Sequence, residues 1–68
     1  MTRGEHMRAI RTAAGYSLEE LAARAGVQKN TISRLERDEH LGRIDTLELL
    51  ADVFGISIDE YTGHEVRR

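Results

Sequence analysis

Residues 17–37, SLEELAARAGVQKNTISRLER, contain two short helical patterns separated by a glycine. Leu21 lies in the first pattern, before Gly26, and Ile32 and Leu35 recur at helical spacing in the second. Glycine reaches the left-handed backbone conformation that ends many helices without a steric penalty. Because only a few residues connect the two patterns, we expect the helices to cross steeply and to bury these apolar side chains between them.

Capping signals mark the other helices of the chain. The segments TRGE at 2–5, SLEE at 17–20 and SIDE at 57–60 have the spacing of a capping box, in which a hydroxyl and a glutamate each accept a backbone N–H. Gly15 and Gly55 stand where two further helices should end. We therefore predict an all-α, compact bundle of five short helices and no strand. The predicted helices cover residues 3–14, 18–25, 28–37, 45–54 and 58–62.

Length and composition exclude several classes of protein. A chain of 68 residues forms one small domain, which we assign to residues 1–63, with a short charged tail at 64–68. It contains no cysteine, so disulfides and cysteine-ligated zinc are excluded, and no apolar run is long enough to span a membrane. His6, His40 and His64 stand apart from any second ligand or catalytic partner. We therefore expect surface histidines, no metal or other cofactor, and no enzyme activity.

The outer face of the predicted helix 28–37 carries polar side chains that a core does not need. Lys29, Asn30, Ser33 and Arg34 lie on this face, with Arg37 at its end. Asparagine can form a bidentate pair with adenine, and arginine or lysine can do so with guanine. The same residues also suit an ordinary solvated helix surface. The spacing alone therefore leaves two interpretations, base recognition and simple solvation.

A longer match favours base recognition. The segments MRAIRTAAGYSLEELAARAGVQKNTISRLE, 7–36, and TLELLADVFGISIDEY, 46–61, resemble the lambda-repressor-like, Xre/Cro family of helix-turn-helix DNA-binding domains. The shared pattern is an arginine in helix 1, then Gly-x-Ser-x-x-x-Leu-Ala, Gly-Val, and Thr-Ile-Ser-x-hydrophobic-Glu. The resemblance implies a helix-turn-helix at helices 2 and 3. It also implies sequence-specific binding of double-stranded DNA by a transcriptional regulator, most simply a repressor, with helix 28–37 in the major groove.

The resemblance also implies roles for individual residues. Positions that read bases in the family correspond to Gln28, Lys29, Asn30, Ser33 and Arg34. Contacts with DNA phosphates are expected from Ser17, Leu18, Thr31, Arg11, Arg37 and Arg43. At Ser17 and Leu18 the expected donors are backbone N–H groups at the start of helix 2, where the helix dipole favours an anion. Glu36 corresponds to the family's nearly constant glutamate, which we interpret as a structural group that ties the end of helix 3 to its loop.

Several positions depart from the family pattern. Leu18 replaces a frequent glutamine, and Gln28 begins helix 3 where serine or threonine is usual. Arg37 and Asp38 replace Asn-Gly, so Asp38 has to take a left-handed conformation that aspartate adopts less readily than glycine. The following loop, DEHLGR, is acidic and lacks the usual proline, which leaves Arg43 as its expected phosphate contact.

The net charge of −2 is unevenly distributed along the chain. Residues 1–37 hold seven basic and four acidic side chains, net +3, whereas residues 38–68 hold three basic and eight acidic, net −5. Exposed charges farther apart than about 8–10 Å are largely screened at physiological salt, so the field at the contact surface matters more than the total. We expect the acidic half to face away from DNA and non-specific binding to be weak.

A single domain of this kind offers few base contacts, so we expect a two-fold dimer on a near-palindromic site. Helices 4 and 5 supply the candidate interface, which consists of Leu49, Val53, Ile58 and Tyr61. Leu49 has an alternative role, in which it packs on Ile44 as a hydrophobic staple around a cap at Asp45.

Two other functions remain open at this stage. The acidic second half could bind a basic toxin, as in an antitoxin-type protein-binding module. The chain could also be the DNA-binding part of a longer regulator. Any of these proteins is expected in the cytoplasm, and the DNA-binding forms are expected at the nucleoid.

Overall fold

The structure, a computed structural model that describes residues 1–63, is a bundle of five α-helices. The predicted all-α fold is confirmed, and the helix-turn-helix lies at α2 and α3. The predicted tail at 64–68 lies outside the described residues. No helix among residues 1–63 has the length and apolar character needed to cross a membrane. The helices are α1 Arg3–Ala13, α2 Leu18–Ala25, α3 Lys29–Glu36, α4 Ile44–Phe54 and α5 Ile58–Thr62.

The three predicted capping boxes are present. At the start of α2 the Ser17 hydroxyl accepts the backbone N–H of Glu20 at 3.0 Å, and the Glu20 carboxylate accepts the N–H of Ser17 at 2.8 Å. The same reciprocal pair begins α1 and α5. Gly26 and Gly55 end α2 and α4 in the left-handed conformation, with φ of 74° and 68°. Local sequence therefore sets most helix boundaries in this chain.

The start of α4 differs from the prediction. Arg43 occupies the N-cap position and makes no side-chain cap, while the Asp45 carboxylate accepts the N–H of the next residue, Thr46, at 2.9 Å. Ile44 is 65% exposed and Leu49 is 46% exposed. The hydrophobic staple around Asp45 is therefore wrong, since Arg43 and not Asp45 is the N-cap and Ile44 is already the first residue of α4.

The core lies where α1 and α2 meet the other three helices. α1 packs on α3 and α5, and α2 packs on α3 and α4. Phe54, at the end of α4, contacts two other aromatic rings. It meets Tyr16 edge-on at 5.7 Å and stacks on Tyr61 at 5.9 Å. The buried apolar side chains are Met7, Leu21, Ala25, Ile32, Leu35, Leu47, Leu50, Ala51 and Tyr61.

Tyr61 and His6 have roles that the sequence did not indicate. Tyr61 is fully buried, so its predicted place in a dimer interface is wrong. Burial, and then the nearby carboxylate of Glu36, raise the pKa of the Tyr61 phenol, which remains neutral inside the core. His6 is half-buried rather than a surface residue, and its Nε2 hydrogen-bonds the carbonyl oxygen of Glu60 at 2.8 Å. This bond joins α1 to the end of α5.

Candidate nucleic-acid interface

The turn between α2 and α3 is short and held by backbone hydrogen bonds. The N–H groups of Gly26 and Val27 both donate to the carbonyl of Ala22, at 2.9 and 3.1 Å. Gln28 then takes an extended conformation, and α3 begins at Lys29. The turn fixes the direction of α3, whose inner face is buried through Ile32.

The outer face of α3 presents the side chains that were predicted to read bases. Lys29, Asn30 and Arg34 are exposed, as is Gln28 before the helix, and Ser33 is half-buried beside them. Gln28 makes no side-chain cap, so the first N–H groups of α3 are not covered by a capping side chain of residues 1–63. The structure brings these five residues to one surface; their contact with bases stays a prediction.

Lys29 is held by a carboxylate from the neighbouring helix. Its Nζ lies 3.2 Å from Oε2 of Glu19, and both side chains are well exposed. The backbone N–H of Glu19 itself, and then the Lys29 ammonium, lower the pKa of the Glu19 carboxyl. An exposed ion pair of this kind is weak, so Lys29 can leave it for a better acceptor.

The start of α2 offers a mixed environment to a phosphate. The side chain of Leu18 is half-buried and has no donor, so only its backbone N–H can serve an anion there. Ser17 is already engaged in the capping box, whose backbone and hydroxyl donors lower the pKa of Glu20. The carboxylates of Glu19 and Glu20 lie in this first turn and oppose a second negative charge. The helix dipole favours an anion at this end, and the two carboxylates reduce that advantage.

Arg11 is not available to DNA. Its guanidinium donates to both carboxylate oxygens of Glu36, from Nε at 2.8 Å and Nη2 at 2.9 Å, and Nη1 donates to the carbonyl of Tyr16 at 2.9 Å. The residue is only 8% exposed. The predicted phosphate contact is therefore wrong, because the group that would make it is satisfied inside the protein.

The same pair corrects the role assigned to Glu36. Its carboxylate ties the last turn of α3 to α1, not to the loop that follows. The hydrogen bond that Arg11 donates to Glu36 raises the pKa of Arg11, so its guanidinium stays charged. A bidentate arginine–carboxylate pair also restricts orientation, and here it fixes the angle of α3 against α1.

The loop after α3 is anchored to the start of α1 by Asp38. Asp38 stands where glycine is usual in the family. It takes the left-handed conformation expected at that position, with φ of 61°. Its Oδ1 accepts the N–H of Gly4 at 2.8 Å. Gly4 packs directly on the end of α3, where a Cβ would overlap the carbonyl oxygen of Glu36. The Thr2 hydroxyl and the Gly4 N–H lower the pKa of Asp38.

Two of the predicted phosphate contacts lie at the two ends of α3 and a third at the start of α4. Thr31 is half-buried in the first turn of α3. Arg37 and Arg43 are exposed after its last turn and make only surface ion pairs, Arg37 with Glu39 at 3.3 Å and Arg43 with Asp45 at 3.5 Å. Such pairs are weak, so both guanidiniums are free to turn toward an anion.

Comparison with known proteins agrees with this arrangement. A family model described as Helix-turn-helix matches residues 7–61. Similar sequences include the immunity repressor protein of Bacillus phage phi105 and the HTH-type transcriptional regulator ImmR of Bacillus subtilis strain 168, each 31% identical over 65 residues. Both alignments cover 96% of this chain but only 45% and 51% of the relatives. The chain thus spans about half the length of these relatives.

Solved structures extend the similarity to the fold. The crystal structure of the master regulator for biofilm formation SinR in complex with DNA has a TM-score of 0.80 and 34% identity, covering 88% of this chain and 97% of that one. The solution structure of the N-terminal DNA-binding domain of SinR from Bacillus subtilis has a TM-score of 0.77 and 34% identity, covering 98% and 100%. The chain therefore belongs to the helix-turn-helix family, in the lambda-repressor-like group that its sequence resembles.

Proposed function

We propose that the chain binds double-stranded DNA in a sequence-specific manner and acts as a transcriptional repressor at the nucleoid. The observation that carries this proposal is the exposed polar face of α3, which a short turn and the Arg11–Glu36 pair hold at a fixed angle on the bundle. The similarity to SinR, whose crystal structure is of a complex with DNA, supports binding. The similarity to a phage immunity repressor supports repression.

The recognition step consists of placing α3 in the major groove. An α-helix with its side chains is about 10–12 Å across, which fits the roughly 12 Å width of that groove. Asn30 would form a bidentate pair with adenine, and Lys29 and Arg34 would donate to the N7 and O6 acceptors of guanine. Gln28 and Ser33 lie beside them and complete the proposed base-reading set.

Phosphate contacts would set the position of α3 without reading sequence. The proposed donors are the backbone N–H of Leu18, the Thr31 hydroxyl, and the guanidiniums of Arg37 and Arg43, whereas the predicted donor at Ser17 is already bonded to Glu20 in the capping box. Leu18 precedes the recognition helix in the chain, Thr31 lies in its first turn, and Arg37 and Arg43 follow it, so we propose that the domain binds the DNA backbone on both sides of the groove. With so few cations, the binding that depends on phosphate neutralisation alone should be weak.

We also propose that two copies bind together on a two-fold symmetric site, because five side chains on one short helix specify few base pairs. The chain itself would act by occupying DNA, with no cofactor and no catalytic step. Among the residues first assigned to a dimer interface, Leu49 is exposed and Val53 and Ile58 are half-buried.

A second candidate function is protein binding through the outer face of α4. Leu49 is exposed there, and Asp45, Glu48 and Asp52 are exposed on the same helix, which carries no basic side chain. This surface suits a basic protein such as a toxin or another effector. The fact that the chain spans only half of its relatives also favours its being the DNA-binding part of a longer regulator.

Selection of bound sequences from a random duplex pool, repeated at two salt concentrations, tests the proposed function. Enrichment of a near-palindrome with half-sites about one helical turn apart is the expected result. Binding without enrichment that disappears as salt rises would contradict it, because that behaviour belongs to phosphate attraction alone. In that case the acidic face of α4 becomes the favoured binding surface, for a protein.

A further inference from the structure

An open apolar groove runs beside the end of the recognition helix. It has a volume of about 640 Å³ and is lined by the N-terminus, the loop at Leu41 and Gly42, and the first turns of α4 and α5. Four large apolar side chains are exposed among residues 1–63, and three of them line this groove: Met1 at 90%, Leu41 at 75% and Ile44 at 65%. The described part of the chain thus concentrates its exposed apolar surface in one place, which is typical of an interaction site.

The walls of the groove are fixed parts of the fold. Arg3 donates from Nη1 to the carbonyl of Leu41 at 2.8 Å, which holds the loop against the start of α1. Gly42 is packed on the recognition helix, since a Cβ there would lie 2.6 Å from Cδ2 of Leu35. The groove is therefore a preformed surface that directly adjoins the last turn of α3.

This location meets the spacing that a two-fold DNA complex requires. Recognition helices of such a complex lie about 34 Å apart, so each lies roughly 17 Å from the two-fold axis. The domain measures 37 × 24 × 23 Å. The contact between copies must then be made on a side of the domain that adjoins α3. The groove satisfies this condition, because Gly42 in its wall packs on Leu35 of α3, whereas α4 packs on α2 and α5.

We propose that a second copy of this chain docks in the groove, with Met1, Leu41, Ile44 and Ile58 forming the apolar centre of a two-fold interface. This inference rests on the proposed function, since the spacing argument assumes two copies on one DNA site. It assigns the interface to the N-terminus, the α3–α4 loop and the starts of α4 and α5.

The groove carries one positive and one negative side chain, so its charges can pair with those of an identical surface. Arg3 and Asp59 both line it, on α1 and α5. In a two-fold contact the same surface meets itself, so the Arg3 side of one copy can face the Asp59 side of the other. The outer face of α4 lacks this property, because Asp45, Glu48 and Asp52 would meet three identical carboxylates. Like charges in direct opposition disfavour that pairing.

Single cysteines can locate the contact, since the chain has none of its own. Ile44→Cys places a thiol in the groove, and Leu49→Cys is the matched control on the outer face of α4. Each variant would be bound to a duplex carrying the two selected half-sites, and to one carrying a single half-site, and treated with a short bis-maleimide. We expect Ile44→Cys to form covalent dimers on the two-site duplex only, and Leu49→Cys to form none.

Charge substitutions at the same positions test how much the groove contributes to the binding of two copies to one duplex. Ile44→Glu and Leu49→Glu both replace exposed side chains, and circular dichroism would verify that each folds. Ile44→Glu should leave affinity for a single half-site unchanged and weaken binding to the two-site duplex by roughly tenfold or more, about 1.4 kcal/mol per factor of ten. Leu49→Glu should match the wild type on both duplexes.

The opposite pattern would overturn the proposal. Cross-linking through Leu49→Cys, with loss of cooperative binding in Leu49→Glu, would move the interface to α4. Unchanged cooperativity in Ile44→Glu, with no cross-link through Ile44→Cys, would mean that two copies do not meet at the groove. Wild-type protein that binds neither duplex would refute the proposed DNA binding itself, which separates that failure from a misplaced interface.

Discussion

Replacing Arg11 by methionine should remove most of the stability of the domain. The substitution deletes three hydrogen bonds, two to Glu36 and one to the Tyr16 carbonyl, and leaves the Glu36 carboxylate buried without its partner. Removing one member of a buried ion pair costs about 3–5 kcal/mol. A domain of this length has a total free energy of unfolding of about 3–10 kcal/mol. We therefore expect Arg11→Met to be partly unfolded at 25 °C or to lose about 15 °C or more in Tm.

Two further variants separate the charge effect from the loss of an arginine. Arg37→Met removes an exposed arginine whose pair with Glu39 lies at the surface, so its stability should change by less than about 1 kcal/mol. The double variant Arg11→Met/Glu36→Leu no longer buries an unpaired charge and should recover much of the loss. Urea unfolding followed by circular dichroism measures all three. A loss for Arg11→Met no larger than that for Arg37→Met would refute the reasoning.

Three other predictions concern binding, packing and pH. Arg34→Ala should weaken binding to the selected site by about 1–3 kcal/mol and relax specificity at one position, measured by fluorescence anisotropy; an equal loss on all sequences would argue against base reading there. Gly4→Ala should lower stability in thermal unfolding although alanine favours helices, because its Cβ meets the Glu36 carbonyl oxygen; a stabilised variant would contradict that contact. Asp38, Glu19 and Glu20 have lowered pKa values when folded, so their contribution is present above their unfolded values of 3.8 and 4.5 and is lost as pH falls through the folded values. Melting curves between pH 2 and pH 7 should show this loss, and Asp38→Asn should reduce it; a melting temperature independent of pH would contradict it.

The helix boundaries could be predicted from sequence because they depend on local signals. A capping box involves residues three apart, and a terminal glycine acts on its own helix, so Ser17 and Gly26 mark the ends of α2 without reference to the rest of the fold. The exception is α4, where Asp45 has the residue type of a cap but Arg43 occupies the position. The extended conformation of Arg43 starts the helix without any side-chain bond, which no residue pattern indicates.

Roles that depend on distant contacts could not be obtained in the same way. Arg11 and Glu36 are 25 positions apart, and their types alone suit either a phosphate contact or an internal pair. Both belong to the family pattern, which was the available sign that they act together. Tyr61 lies on a helix of five residues, little more than one turn, so periodicity could not say which of its side chains point inward.

The candidate base-reading surface could be predicted because it is the remainder of an amphipathic helix. Once Ile32 and Leu35 are assigned to the core, Lys29, Asn30 and Arg34 have to lie outside. The apolar groove could not be predicted, because its residues do not belong to one periodic helix. Leu41 and Ile44 lie in and next to a loop without periodicity, and only the packing of that loop on α1 and α3 brings them beside Met1.

The central claim, that the outer face of α3 reads DNA sequence, is tested most directly by repeating the selection with a variant of that face. The variant Lys29→Ala/Asn30→Ala/Arg34→Ala changes only exposed side chains, so the bundle should fold as before. We predict that the near-palindrome enriched by the wild type is lost or changed at the bases these residues contact. Enrichment of the same sequence by both proteins would contradict the account, because sequence would then be read by another part of the chain.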